Sequence, residues 1–169
     1  MEEKSRTSKL TRAVFVLYLA ILIWAIVFKF ATGPDTMPFR HDINLIPFKE
    51  SVYADRSFRL SEVIANVLAF IPFGVCISIF RRKWTAGKRV LAGFLLSLAF
   101  EVCQFGFSLG LADVTDLMTN TLGTWAGVGI YSALGSAFGE KTERKAGMVL
   151  LMLEIIFFCL ALVLYIGNR

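Results

Sequence analysis

Residues 100–127, FEVCQFGFSLGLADVTDLMTNTLGTWAG, place acids and amides within otherwise apolar sequence. We interpret this stretch as the end of one membrane-spanning helix, a polar corner and the start of the next helix. No Lys or Arg lies between Arg89 and Lys141 to neutralise the acids locally. Because a carboxylate at the centre of a spanning helix costs about 2.5–3.5 kcal/mol on insertion scales, acids there indicate function. The stretch therefore predicts a polar site inside a membrane.

The polar residues of this stretch have helical spacing. Glu101 and Gln104 are three residues apart, so they share one face of the first helix. The polar and small residues after the corner step by three or four, which keeps them within an arc of about 80°. They are Asp113, Asp116, Asn120, Gly123 and Gly127. The two glycines would let a neighbouring helix approach closely, whereas the polar positions could converge on one pocket.

The composition is that of a polytopic membrane protein. Of the 169 residues, 56% are hydrophobic and 18% are charged, and the mean hydropathy is +0.65. A soluble domain of this size could not bury so much apolar surface. The net charge of +5 does not indicate a nucleic-acid partner, because the 16 Phe residues are not interleaved with Lys and Arg. Residues 1–169 are therefore predicted to form a single membrane domain.

Apolar runs predict an all-α transmembrane bundle of about five spans. The first span is predicted at 13–31, and a long polar loop at 32–61 follows it, with Pro34, Pro38 and Pro47 arguing against a continuous helix. The remaining spans are predicted at 62–80, 90–109, 116–138 and 147–166.

The distribution of basic residues predicts the orientation of this bundle. With five spans, the N-terminus shares one side with the loops at 81–89 and 139–145, and that side holds twelve Lys and Arg against six on the other. The positive-inside rule then places the N-terminus in the cytoplasm and the C-terminus outside. The polar pocket is therefore expected to open at the external face. Its expected members are Asn66, Glu101, Gln104, Asp113, Asp116 and Asn120.

The acids of the pocket allow several kinds of chemistry. Glu101 is predicted to lie about 12–14 Å below Gly110, which is too deep for a helix cap and suits a general acid or base. Asp113 and Asp116 stand at the start of a helix, where carboxylates are also favourable as caps. The oxygen ligands could hold a divalent cation, but no metal-binding loop motif is present and no cofactor is expected. The alternative is a structural hydrogen-bond network that joins the spans.

Three ordered motifs resemble the signature of the VanZ-like family, which is named for a teicoplanin-resistance protein. They are NLIPF at 44–48, NVLAFIPFG at 66–74, and E-x-x-Q at 101–104 followed by G-x-x-D-x-x-D-x-x-x-N-x-x-G-x-x-x-G at 110–127. The resemblance covers about residues 42–129. The helices at 13–31 and 147–166 are additions to it.

The resemblance implies a small multipass protein of the bacterial cytoplasmic membrane. It implies action on, or binding of, a lipid or lipid-linked cell-envelope component at the external leaflet, with reduced susceptibility to teicoplanin and other lipoglycopeptides. Whether the protein is an enzyme stays open; a reaction on a lipid headgroup would use Glu101 and Asp116. Two alternatives also stay open, a non-catalytic envelope-binding or structural protein and a small ion-coupled transporter.

The residue types and the resemblance together give each candidate an expected role. Glu101, Asp116 and Asp113 are the expected catalytic residues. Expected substrate-binding residues are Gln104, Asn120, Asn66, Asn44, Arg56 and His41. Leu111 stands where many relatives carry a basic residue, so an arginine of the 32–61 loop would supply the counter-charge for Asp113. Outside the motifs, Glu154 is expected to pair with a Lys or Arg of an inner loop.

Overall fold

A computed structural model describes residues 2–27, 40–48 and 56–167 of the chain. These ranges contain five α-helices, one short 3-10 helix and two short strands. In chain order they are α1 (Glu2–Ile26), β1 (Arg40–Asn44), α2 (Arg56–Phe80), α3 (Ala86–Gly106), β2 (Leu109–Asp113), α4 (Val114–Phe138), the 3-10 helix Gly139–Lys141, and α5 (Thr142–Gly167).

The helical fold confirms the prediction from the apolar runs, and each predicted span corresponds to one helix. Within the described ranges, two helical segments are long and apolar enough to cross a membrane, Glu62–Phe80 in α2 and Ala86–Gly106 in α3. Residues 12–26 of α1 form a shorter apolar helix. The number of spans and the orientation of the termini stay predictions.

The two strands were not expected from the sequence. β1 and β2 pair in parallel, with Arg40 opposite Leu109 and Asn44 opposite Asp113. Both strands pack against α3, because the chain reverses at Phe107 and Ser108 and β2 returns along the last turns of that helix. We call this end of the bundle the strand end, and the opposite end, with residues 81–89 and 139–145, the basic end.

The helices α2 and α4 form the closest pair in the bundle. A Cβ added at Gly123 would lie 2.2 Å from the carbonyl oxygen of Val67, and one at Gly127 would lie 2.2 Å from that of Ile71. From the other side, a Cβ at Gly74 would lie 2.2 Å from a carbonyl oxygen of α4. These distances leave no room for a side chain, so the predicted packing role of Gly123 and Gly127 is confirmed.

Gly135 and Gly139 repeat the spacing of Gly123 and Gly127, but Gly139 does not bring two helices together. No atom lies within 4 Å of the position that a Cβ would take at Gly139. Its φ of 51° instead lies in the left-handed region, where it ends α4 and its N–H donates to the Gly135 carbonyl. The residue is therefore a helix terminator.

Aromatic side chains from four helices form the main hydrophobic core. Tyr18 of α1 lies edge-on to Phe157 of α5, with ring centroids 5.5 Å apart. Phe70 of α2 lies edge-on to Phe100 of α3 at 6.2 Å. At the basic end, the buried Arg89 donates to the carbonyls of Arg81 and Arg82 at 3.3 and 2.9 Å, so its guanidinium caps the end of α2.

Candidate functional site

The N-terminus of α4 is held by a hydrogen-bond network that joins three other elements. Asp113 is the N-cap residue of α4, and its Oδ1 accepts from the Thr115 N–H at 2.8 Å. Its Oδ2 accepts from Asn44 Nδ2 of β1 at 3.1 Å. Its backbone N–H donates to Glu101 Oε2 of α3 at 2.9 Å. One buried aspartate therefore ties the sheet, α3 and α4 together.

The bond between Asp113 and Glu101 shows that these two residues lie at the same level of the bundle, whereas the sequence placed Glu101 well below the polar corner. Glu101 lies five residues before the end of α3, and β2 runs back along the helix to the same level. The start of α4 is therefore recessed beside Glu101 instead of standing at the tip of the bundle above it. The carboxylate of Glu101 orders this backbone turn, a role that the sequence did not suggest.

A second polar pair lies one turn further along α4. Asn66 Nδ2 of α2 donates to Asp116 Oδ1 at 2.8 Å. Both side chains are half-buried, whereas Asn44, Glu101 and Asp113 are buried. Asp116 is therefore more accessible than Glu101 and Asp113, the other two acids of these polar contacts.

The segment after β1 folds over the start of α4. The Ile46 N–H donates to Asn44 Oδ1 at 3.3 Å, and the Phe48 N–H donates to Thr115 Oγ1 at 3.0 Å. Because these bonds use backbone groups, the apolar side chains of the segment point away and stay exposed. We define the apolar rim as Leu45, Ile46, Phe48 and Phe107, of which Leu45 is 76% and Phe107 70% exposed.

Asn120 and Gln104 lie away from this cluster. Asn120 is fully buried, and its Nδ2 donates to Ser97 Oγ at 2.9 Å, deeper between α3 and α4. Gln104 donates through Nε2 to the carbonyl of Ile26 at 2.9 Å, so its amide binds the end of α1. The side-chain oxygens of both amides are buried, and neither has a hydrogen-bond partner among the described residues.

The predicted site residues thus fall into three groups. The structure brings five together at the strand end, which are Asn44, Asn66, Glu101, Asp113 and Asp116. Gln104 and Asn120 bond to other parts of the bundle. His41 lies in β1 and Arg56 begins α2, but their side chains are outside the described part of the structure, as is any counter-charge that the 32–61 loop gives to Asp113.

Sequence reasoning missed two hydroxyl residues that bond to predicted site residues, Thr115 and Ser97. Ser97 precedes Glu101 by four residues, so the helical spacing could have placed it on the same face. Thr115 follows the capping Asp113 by two residues, the position whose N–H an N-cap side chain often accepts. Among the described residues, no three of His, Cys, Asp and Glu lie close enough to share a metal ion.

Substitutions of Asp113 should separate its capping role from its charge. We expect Asp113→Ala to lower the stability by about 1–2 kcal/mol, because the cap and the bond from Asn44 are both lost. Asp113→Asn should cost about half as much, because an amide oxygen still caps α4. Thermal unfolding in detergent measures both. Equal losses for the two variants would show that the charge matters and the cap does not.

Comparisons with known proteins agree with this architecture. The sequence model of the VanZ/LLP1 family matches residues 15–135. Protein VanZ of Enterococcus faecium is 33% identical over 156 residues, which cover 91% of each chain. No solved structure matches the chain. The family match runs from α1 to α4 and includes both strands and the polar network of the strand end. Because the match covers most of the chain, the chain belongs to the VanZ/LLP1 family.

Proposed function

We propose that the protein crosses the bacterial cytoplasmic membrane five times and binds or acts on a lipid or lipid-linked envelope component at the external leaflet. The expected consequence for the cell is reduced susceptibility to teicoplanin and related lipoglycopeptides. The strand end would face outward and the basic end the cytoplasm, as the positive-inside rule predicts. Family membership and the similarity to Protein VanZ support the general role.

The surface of α3 supports the placement in a membrane. One face of this helix is buried against the bundle and carries Ser97, Glu101 and Gln104. Its opposite face is exposed and apolar, with large side chains at helical spacing. They are Leu91, Leu95, Leu98 and Val102. A helix with polar residues inside and hydrocarbon outside suits lipid as its solvent.

The observation that carries the proposed function is the proximity of the apolar rim to a half-exposed polar pair. The NLIPF segment folds over the start of α4, and Asp116 with its partner Asn66 lies one turn below. Exposed apolar side chains beside a carboxylate and an amide match a ligand with acyl and polar parts. The oxygen atoms of the pair favour hydrogen-bond donors, such as the hydroxyl or amine groups of a headgroup or lipid-linked sugar.

Asp116→Asn tests this proposal in cells. We expect the variant to accumulate as folded protein but to lose the decrease in teicoplanin susceptibility, because the amide cannot accept or donate a proton as the acid does. Growth of a susceptible host in teicoplanin measures the effect. Lipid analysis should compare cells that have native protein, the variant or no protein. If the protein acts on a lipid, the amount of that lipid should differ in cells with native protein, and the variant should resemble cells without the protein.

Glu62→Gln is the matched control for Asp116→Asn. Glu62 is a half-buried acid of α2 that lies one turn before Asn66, outside the polar network. Its variant should behave like the native protein in both measurements. If Asp116→Asn and native protein protect cells equally and leave the same lipids, the proposed role of Asp116 is wrong.

A non-catalytic binding protein is the second candidate, and a specific observation favours it. Glu101 and Asp113, two of the three expected catalytic acids, are buried and bonded to each other through the Asp113 N–H. Such bonds order the walls of a site and need no proton transfer. A binding protein should change susceptibility without altering the lipid composition of the cells, which the same lipid analysis would show.

The orientation predicts which positions an external reagent reaches. In a background without the native cysteines, a cysteine at Phe107 should react with a membrane-impermeant maleimide in intact cells. One at Ala86, an exposed residue at the basic end, should react only after the membrane is opened. The reverse pattern would place the strand end in the cytoplasm and overturn the proposed site of action.

A further inference from the structure

Glu154 is a buried acid outside the strand-end network. It lies near the middle of α5, nine residues after Lys145, so about 13–14 Å of helix separates it from the basic end. Its side chain is only 7% exposed, and neither carboxyl oxygen has a hydrogen-bond partner among the described residues. The expected ion pair with an inner-loop Lys or Arg is therefore not formed by any described side chain.

The helices around Glu154 bring other ionisable groups to it, but no Lys or Arg side chain that the structure describes bonds to its carboxyl. α5 packs against α1, α2 and α4. Tyr18 of α1 packs edge-on against Phe157, one turn after Glu154, and Cys76 of α2 packs against the α5 turn before it, in a cluster that includes Leu153. Both Tyr18 and Cys76 are buried. The ionisable side chains of α4 are Asp116, at the strand end, and Tyr131, two turns before the basic end.

The surroundings of Glu154 favour the protonated form of its carboxyl over the ionised form. An ionised carboxylate in a spanning helix is costly unless a cation or several donors compensate it. The described ionisable groups that α1 and α2 pack against this stretch of α5 are a phenol and a thiol, which are neutral at physiological pH. A proton supplies the missing positive charge and turns the carboxyl into a neutral hydrogen-bond donor.

We propose that Glu154, Tyr18 and Cys76 form a proton-binding site in the membrane interior, in which the Glu154 carboxyl carries the proton at neutral pH. The proposal rests on the membrane placement proposed above, but not on the function of the strand end. Glu154 lies beyond residues 15–135, the region that the family model matches, whereas Tyr18 and Cys76 lie within it.

A chain of contacts connects this site to α2. The Tyr18 hydroxyl donates to the carbonyl oxygen of Ala69 at 2.6 Å. Ala69 lies three residues, about one turn, after Asn66, whose side chain binds Asp116 at the strand end. Gain or loss of a proton at Glu154 therefore changes the charge on α5 one turn from Phe157, which packs against Tyr18, and the Tyr18 hydroxyl is bonded to the helix that carries Asn66.

Labelling with an apolar carbodiimide tests the proposal on the native protein. Dicyclohexylcarbodiimide enters membranes and reacts with protonated carboxyl groups, so mass spectrometry should find it on the α5 peptide at neutral pH. The label should fall as the pH is made strongly alkaline, and Glu154→Gln should lose it completely. An unlabelled α5 peptide in folded native protein at neutral pH would show that the carboxyl is ionised, and the proposal would be wrong.

Stability gives a second, independent measurement. Because an amide resembles a protonated carboxyl in size and neutrality, Glu154→Gln should keep the native Tm in detergent. A large fall in Tm for Glu154→Gln would mean that the native fold needs the charge, which contradicts the proposal. Both readouts are made on the protein itself. A labelled Glu154 in a protein without effect on teicoplanin susceptibility would support the proton site and overturn only the proposed function.

Discussion

Replacing Gly123 with alanine is expected to destabilise the folded protein by about 1–3 kcal/mol, a cost typical of overpacking. The new Cβ would lie 2.2 Å from the carbonyl oxygen of Val67. This neighbour is helix backbone, which cannot turn aside as the end of a side chain can. Gly123→Leu should be more severe and leave little folded protein after extraction. Thermal unfolding and size-exclusion chromatography in detergent measure both effects.

Gly129 provides a matched control on the same helix. No atom lies within 4 Å of the position of its Cβ. Gly129→Ala should therefore leave the Tm unchanged or raise it, since alanine favours a helix by up to about 1 kcal/mol over glycine. If Gly123→Ala unfolds at the native Tm, the close contact between α2 and α4 is absent from the protein in solution.

Glu101→Gln is expected to abolish the effect on teicoplanin susceptibility while the protein still inserts and accumulates. The glutamine keeps an oxygen that can accept from the Asp113 N–H, the bond that Glu101 makes at 2.9 Å. What it loses is the group that can exchange a proton, which a catalytic acid or base requires. Growth in teicoplanin and the amount of folded protein are measured on the same cells.

Glu101→Ala separates the structural contribution of this residue from its chemistry. The alanine leaves the Asp113 N–H without its acceptor, which costs about 1–3 kcal/mol for a buried group. Full activity of Glu101→Gln would exclude acid–base chemistry at Glu101 and favour the binding protein. Failure of Glu101→Gln to accumulate would instead show that the residue is needed for the fold.

The helices could be predicted from the sequence because apolar runs and charged loops are local signals. The predicted span at 62–80 ends at the same residue as α2, and the span at 116–138 begins two residues inside α4. Gly123 and Gly127 could also be assigned, because small residues four apart indicate close helix contact. The number of spans is a separate matter, since it depends on the membrane as well as on the chain.

The sheet could not be predicted in this way. β2 reads LGLAD, without the alternation or β-branched residues that indicate a strand, and the polar residues of β1 suggest a loop. The pairing depends on backbone groups of two distant segments. For the same reason, spacing placed Asp113 and Asp116 together at the start of α4 but could not show that β2 brings Asp113 back to Glu101.

Gln104 and Asn120 show a further limit of helical periodicity. Spacing establishes that a residue shares a face with Glu101 or Asp116, but not which neighbouring helix that face meets. Gln104 meets the end of α1, and Asn120 meets Ser97. Choosing between these partners requires the arrangement of the whole bundle.

The parallel pairing of β1 with β2 also means that β1 is synthesised well before the strand with which it pairs. Asn44 and Asp113, which the pairing brings together, are 69 residues apart. At about 5–20 residues per second of synthesis, β1 waits roughly 3–14 s for β2 to emerge. Until then its backbone is an unpaired edge that invites association with other chains. We expect the polar start of β1, Arg40-His41-Asp42, to oppose that association, because charged residues at an edge discourage pairing with other chains.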